Sequence, residues 1–155
     1  MNDLPSLHLT TPIKLTIGIR TFFKKLSLPA HQRLLKFHKL SDNYLTKHCL
    51  SNCESEHISH GTPIVFGWTI WEDNNYFVDD RKLNVIDAEF HAVLRIDNEL
   101  VDITPRADGE DLIMFVPDPQ RTAKRINSHT WESWSNIISI NGDIVKYPEV
   151  TFFVE

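Results

Sequence analysis

Three side chains of this sequence could together carry out nucleophilic catalysis: the thiol of Cys49, the imidazole of His91 and the carboxylate of Asp102. A cysteine attacks as its thiolate, and the first turn of a helix favours that negative charge because its N–H groups are unpaired. Thr46 is placed to cap a helix over residues 46–60, which puts Cys49 in the first turn. A histidine then serves as general base, and a carboxylate holds the imidazole in the correct tautomer.

Two strands must position the histidine and the aspartate. Residues 86–96 alternate apolar and polar side chains, which is typical of a half-buried strand. A short polar turn follows at Asp97-Asn98, and residues 100–104 resume the strand pattern. The sequence therefore predicts a hairpin that carries His91 on its first strand and Asp102 on its second.

The register of this hairpin decides whether the two side chains can meet. A two-residue turn pairs Ile96 with Glu99 and, by the same count, His91 with Thr104. Asp102 then lies on the same face as His91, as a diagonal neighbour. Such neighbours have Cβ atoms roughly 7–8 Å apart, which is near the limit for an Asp–His contact.

The order and setting of these residues resemble the transglutaminase-like branch of the papain-like cysteine-enzyme superfamily. In that branch a cysteine heads a helix, a histidine lies on a strand and an aspartate comes from the next strand. The chain also resembles small uncharacterised bacterial and phage proteins over residues 46–119. The shared motifs are Cys-x-x-Asn (49–52), Gly-Trp-x-Ile-Trp-Glu (67–72), Glu-Phe-His-Ala-Val (89–93) and Val-Asp-Ile-Thr-Pro (101–105).

The resemblance implies a role for each residue. Cys49 would be the nucleophile, His91 the base and Asp102 the group that orients it. An amide or ester carbonyl would give an acyl-thioenzyme, which is then released to water or to an amine. Asn52, or a backbone N–H near the cysteine, would stabilise the oxyanion. Glu89, two residues before the histidine, supplies a second nearby carboxylate.

The cysteine-bearing helix also suggests a metal. Cys49, Cys53, His57 and His60 follow steps of four, four and three, which forms one stripe on a helix. The first and third of these are about 12 Å apart along the axis, so one ion cannot use all four. Two of them could form part of a zinc site that His91 or Glu89 completes from the sheet. The cysteine-enzyme hypothesis, which we favour, needs no cofactor.

Structural interpretations compete with these roles. Cys49 and Cys53 also fit small buried residues that face a sheet. Trp68 and Trp71 point to opposite faces of one strand, so we expect one in the core and the other along a groove.

The remaining pattern favours an α+β fold with N-terminal helices packed on a mainly antiparallel sheet. We interpret residues 1–12 as an arm that is either loose or paired with the edge of a sheet. We expect helices over residues 13–28, again after Pro29 with Leu34, Leu35 and Phe37 on its face, and over 46–60. Strands are expected at 64–71, 86–96, 100–104, 112–116, 137–140 and 144–154, with turns at 73–75 and 141–142 and a short helix near Trp131.

Length and charge limit the class of protein. We expect the 155 residues to form a single domain, 1–155, with 41% hydrophobic residues for its core. A net charge of −5 makes nucleic-acid binding unlikely, although the basic residues between Lys14 and Lys47 could dock an acidic protein partner. No secretory signal or membrane-crossing segment is expected, and two free thiols suit the cytoplasm.

The sequence thus predicts a cysteine-dependent hydrolase or acyltransferase with a papain-like or transglutaminase-like core, acting on a protein or a small acyl substrate. Two alternatives remain open: a non-catalytic protein-binding module on the same scaffold, and a metal-binding protein.

Overall fold

The computed structural model describes residues 7–29 and 32–155. In this part of the chain the helices are α1 (Ile17–Lys25) and α2 (Cys49–His60). The strands are β1 (Arg33–Lys36), β2 (Ile64–Val78), β3 (Arg81–Ile96), β4 (Glu99–Val101), β5 (Leu112–Pro117), β6 (Lys124–Arg125), β7 (Thr130–Trp134), β8 (Ile137–Ile140), β9 (Asp143–Lys146) and β10 (Val150–Val154).

An antiparallel sheet forms the centre of the molecule. Its strands follow the order β1-β5-β2-β3-β8-β9. Strand β4 pairs with the C-terminal end of β3, on the same edge of β3 as β8. Three further strands form a separate small sheet in the order β10-β7-β6. The fold is α+β with a mainly antiparallel sheet, as predicted.

The long β2–β3 hairpin is the main frame of this sheet. Its turn lies at Asp79 and Asp80, whose positive φ angles of 51° and 62° match the twist of two antiparallel strands. The predicted turn at residues 73–75 was wrong. Those residues form a bulge, in which the Asp73 carboxylate accepts the Asn75 N–H at 2.9 Å and the strand continues.

The predicted β3–β4 turn and register are confirmed. Asp97 and Asn98 have φ angles of 52° and 64°, and Ile96 pairs with Glu99. The ladder ends at the pair of Leu94 with Val101. The chain then leaves β3, and Asp102 forms a parallel bridge with Phe37, so the expected pairing of His91 with Thr104 does not continue.

The helix predicted after Pro29 was wrong, because that segment contains strand β1, which pairs with β5. Only Leu35 of this strand is buried, against Val93, Ile113 and Phe115. Two adjacent leucines fit either a helix or an edge strand, and pairing with β5 decides between them. The first helix is real but shorter than predicted, and Thr16 caps it by accepting the Ile19 N–H at 3.2 Å.

The C-terminal third also differs from prediction. Trp131 lies on strand β7 rather than on a short helix. The single strand expected over residues 144–154 is two strands, β9 in the central sheet and β10 in the small one. Asn141 and Gly142 form the predicted turn between β8 and β9. In the arm, Thr10 bridges to Glu72, while residues 1–6 lie outside the described chain.

The two helices pack on different parts of the central sheet. Helix α1 buries Ile19, Phe22 and Phe23 against a cluster that includes Trp68. Helix α2 buries Leu50 and Cys53 against Ala92, Leu94 and Ile103. The second contact brings the start of α2 to the middle of β3. Within the described ranges, no helix has the length and apolar character that crossing a membrane requires.

Candidate active site

Cys49 is the first residue of α2 and is partly exposed. It therefore lies in the first turn of a helix, but the predicted cap was wrong. The helix begins after His48 rather than after Thr46, and His48 makes no side-chain cap. Lys47 turns the chain into the helix with a positive φ of 63°. The helix stops at His60, as predicted, and Gly61 ends it in the left-handed conformation.

A carboxylate from the far end of the chain takes the place of the missing cap. The Ser51 N–H donates to Oε1 of Glu155 at 2.8 Å. The Ser51 hydroxyl accepts from the indole of Trp131 at 3.1 Å, and Arg125 pairs with Glu54 of the same helix at 2.7 Å. The small sheet thus fixes the position of the helix start and of the thiol on it.

Asn52 is used inside the protein. Its side-chain nitrogen donates to the Leu45 carbonyl at 3.0 Å and to the Thr104 hydroxyl at 3.2 Å. With both hydrogens of the amide engaged, Asn52 holds the loop before α2 rather than pointing a donor at a substrate. Among the described residues, the backbone N–H groups of Cys49 and Leu50 donate to no protein acceptor, and these suit an oxyanion better.

His91 and Asp102 are in direct contact. Nε2 of His91 lies 2.9 Å from Oδ1 of Asp102, whose side chain is only 1% exposed against 17% for the histidine. The Thr104 N–H donates to the same carboxylate oxygen at 3.4 Å. Because Nε2 is engaged, Nδ1 is the ring nitrogen that remains to exchange a proton with a thiol.

Burial and charge act in opposite directions on His91. Burial alone would lower its pKa, but the negative charges of Cys49 and Asp102, and hydrogen bonds to both, raise the pKa to about 10. The imidazolium form is therefore favoured at neutral pH whenever the thiol is ionised.

Gly67 lets an aromatic ring support the histidine. It pairs with His91 across the β2–β3 ladder, and a Cβ at this position would lie 2.2 Å from the Val116 oxygen and 2.7 Å from the Phe115 ring. The Phe115 ring meets the imidazole edge-on, at a centroid distance of 6.4 Å. The missing side chain at Gly67 therefore allows the close approach of β5 and of the Phe115 ring.

An open cleft of about 740 Å³ lies beside these groups and is lined by Cys49, His91 and Asp102 together. It lies beside the part of β3 that has no partner strand on one of its two edges. On that edge the pairs with β8 end at Ala88, and those with β4 begin at Leu94. The cleft is large enough for a substrate of modest size.

The other predicted site residues fall into two groups. Glu89 and Trp71 line the cleft, whereas Trp68 is fully buried in the core and donates its indole N–H to Asp118 at 2.9 Å. Desolvation by the cleft walls, and then the charge of Asp87, raise the pKa of Glu89.

The residues of the proposed metal stripe have separate surroundings. Cys53 is fully buried, and burial holds the pKa of its thiol well above the usual value. His57 contacts the Thr62 carbonyl at 2.9 Å, and His60 contacts Glu56 at 3.0 Å. Among the residues that the structure describes, no three His, Cys, Asp or Glu side chains are grouped as metal ligands.

Two cleft residues escaped sequence reasoning. Thr69 lines the cleft but lies inside an ordinary strand pattern, so nothing in the sequence marks it. Glu155 is 104 residues away from the N–H that it binds, and no local pattern reports such a contact.

Comparison with known proteins gave no match to a family model, no significant match to a curated protein and none to a solved structure. The candidate role of the site therefore depends on its own geometry and chemistry.

Proposed function

We propose that this protein is a cysteine-dependent hydrolase or acyltransferase with a transglutaminase-like or papain-like core. It acts on an amide, ester or thioester through Cys49, His91 and Asp102. One observation carries the proposal: beside an open cleft, His91 lies 2.9 Å from the buried carboxylate of Asp102, and the negative charges of Cys49 and Asp102 raise its pKa.

The acylation step follows from this arrangement. Nδ1 of His91 takes the thiol proton, and the Cys49 sulfur attacks the carbonyl carbon. The oxyanion accepts hydrogen bonds from the backbone N–H groups at the start of α2. When the tetrahedral species collapses, the bond to the leaving group breaks, and His91 returns the proton to that group. Asp102 stabilises the imidazolium throughout.

His91 takes and returns a proton again when the acyl group is released. Water or an amine gives a proton to His91 and attacks the thioester carbon. The C–S bond then breaks, and the proton returns to the Cys49 sulfur. A reducing compartment such as the cytoplasm would keep both cysteines as the free thiols that they are here.

Acylation by an activated ester tests the proposal. Intact-mass measurement after brief exposure to nitrophenyl acetate should show one acetyl group on Cys49, with a burst of nitrophenol. Cys49→Ala should abolish the burst, and His91→Gln should slow it by about 100-fold or more. Cys53→Ala is the matched control and should retain the burst. Equal slow labelling of both cysteines would rule out the proposed function.

A second candidate, a non-catalytic protein-binding module, is favoured by strand β10. This strand forms the edge of the small sheet, and its side chains Val150, Phe152 and Val154 are 50%, 63% and 79% exposed. Such an edge suits an extended, apolar segment of a partner protein that adds as a further strand. In this case Cys49→Ala would leave the biological effect intact, whereas Val154→Lys would abolish it.

A further inference from the structure

A row of side chains extends from the histidine along the central hairpin. Cross-strand pairing sets Gly67 beside His91 and Thr69 beside Glu89. Because alternate residues of a strand share a face, both pairs lie on the same side of the sheet. His91 and Glu89 are two residues apart on β3, which separates them by about 7 Å along the strand. Thr69, Glu89 and His91 all line the cleft.

Thr69 holds a hydroxyl that the protein does not use. The residue is 2% exposed, and within the described residues its Oγ1 atom has no hydrogen-bond partner. Buried hydroxyl groups are almost always paired, since an unpaired one has lost water and gained nothing. A polar group of a ligand in the cleft would supply the partner.

Glu89 brings an unpaired negative charge to the same place. In the described chain no Lys, Arg or His nitrogen lies within 4.0 Å of its carboxylate. Asp87 on the same strand face adds further negative charge. Three cationic groups offset part of this charge: His91, which is engaged with Asp102, Lys47 on the cleft wall, and Arg106, which is paired with Asp108 at 2.6 Å. None of them forms an ion pair with Glu89 in the described chain, and a cationic group of a ligand would supply that partner.

We propose that Thr69 and Glu89 form a substrate subsite that binds a cationic group, such as an ammonium or guanidinium, two residues along the β2–β3 hairpin from His91. Thr69 hydrogen-bonds the amide or ester that links the two parts of the substrate, and Glu89 pairs with the charge. This inference rests on the proposed function, since it names the class of substrate that this cleft accepts.

Two small alkylating probes test the subsite without a known substrate. The chloroacetamide of ethylenediamine carries an ammonium, and the chloroacetamide of propylamine is its neutral counterpart of the same length. Each alkylates a thiolate by forming an S–C bond as chloride leaves. The rate of Cys49 alkylation is measured with both probes by peptide mass spectrometry, and the ratio of the two rates is the readout.

The wild-type protein should favour the cationic probe by about tenfold, the usual size of one charge-assisted hydrogen bond. Glu89→Gln should bring the ratio close to one, and Thr69→Val should slow both probes. Glu99→Gln, which changes an exposed carboxylate at the start of β4, is the control and should keep the wild-type ratio. Thermal unfolding of each variant confirms that it is folded.

The other outcomes separate the two proposals. If Cys49 reacts in a His91-dependent manner but at equal rates with both probes, the cationic subsite is wrong and the cysteine enzyme stands. If Cys49 reacts no faster than Cys53, and His91→Gln changes nothing, both the enzyme and its subsite are wrong.

Discussion

Nε2 of His91 and Oδ1 of Asp102 lie 2.9 Å apart although the β3–β4 ladder ends at the pair of Leu94 with Val101, before it reaches either residue. The contact forms because the chain leaves β4 after Val101 and turns toward β1, where the Asp102 carbonyl accepts the His38 N–H at 2.8 Å. That turn places the Asp102 carboxylate in contact with the His91 imidazole. It gives the histidine a fixed orientation and a fixed negative partner, and several measurable properties depend on it.

Asp102→Asn should keep the shape of this contact but remove its charge. We expect the pKa of His91, now raised to about 10, to fall, because one of the charges that raise it is lost. Acylation of Cys49 should slow by about 100-fold or more. Histidine titration by NMR and the nitrophenyl acetate burst check the two effects. Asp108→Asn, on the exposed cleft rim, is the control; an unchanged His91 titration in Asp102→Asn would contradict the assignment.

The stability of the folded protein should decrease at alkaline pH. The folded-state pKa of His91 exceeds its ordinary value of 6.5, so the folded protein binds the proton more tightly than the unfolded chain. The resulting stabilisation is complete below pH 6.5 and is lost as the pH rises to about 10. Urea unfolding across that window measures it.

His91→Gln is the comparison for this pH dependence. Its free energy of unfolding should vary less between the same two pH values, because the group that releases its proton is gone. A wild-type protein that is equally stable at both ends of the window would disagree with a retained imidazolium.

Glu89→Gln should stabilise the protein at neutral pH. The raised pKa of Glu89 means that the folded state resists ionisation of this carboxylate, so its charge opposes folding once the pH exceeds the ordinary value of 4.5. Below that value both states carry the proton, and the gain should vanish. Thermal unfolding at acid and neutral pH tests this, with Glu99→Gln as control. A binding group kept at a cost to stability is a common sign of function.

Gly67→Ala should damage both stability and reactivity. The new methyl group would meet the Val116 backbone oxygen at 2.2 Å and push the Phe115 ring, which lies against the imidazole. We expect a loss of about 1–3 kcal/mol in unfolding free energy, with slower alkylation of Cys49. Gly18→Ala is the comparison, since its methyl group would meet the Asn84 side chain at 2.5 Å rather than a backbone oxygen, and it should cost less. A fully reactive Gly67→Ala protein would show that the ring does not position the histidine.

The sequence predicts the parts of the fold that local rules control. The Asp97-Asn98 turn fixes the register of β3 and β4, and Gly61 ends α2, because backbone conformation at these positions follows from residue type. The segment of Leu34 and Leu35 could not be assigned, since a distant strand rather than its own pattern makes it β. The true start of α2 was hidden for the same reason, because Glu155 replaces the local cap.

The residues of the candidate site also differ in whether the local sequence could predict their placement. The proximity of His91 and Asp102 could be anticipated because they lie only eleven positions apart, with one turn between them. The unpaired hydroxyl of Thr69 could not, since only the packed structure shows that nothing in the described chain satisfies it.

We expect the hydrogen bond from the Ser51 N–H to Glu155 to influence when reactivity appears during folding. The imidazole and its carboxylate can meet as soon as the middle of the chain has folded. One of the contacts that position the sulfur closes a span of 104 residues, and we expect a closure of that length to come late. Alkylation of Cys49 during refolding should therefore report the last event of assembly, and a partly folded chain would carry the acid–base pair without a competent nucleophile.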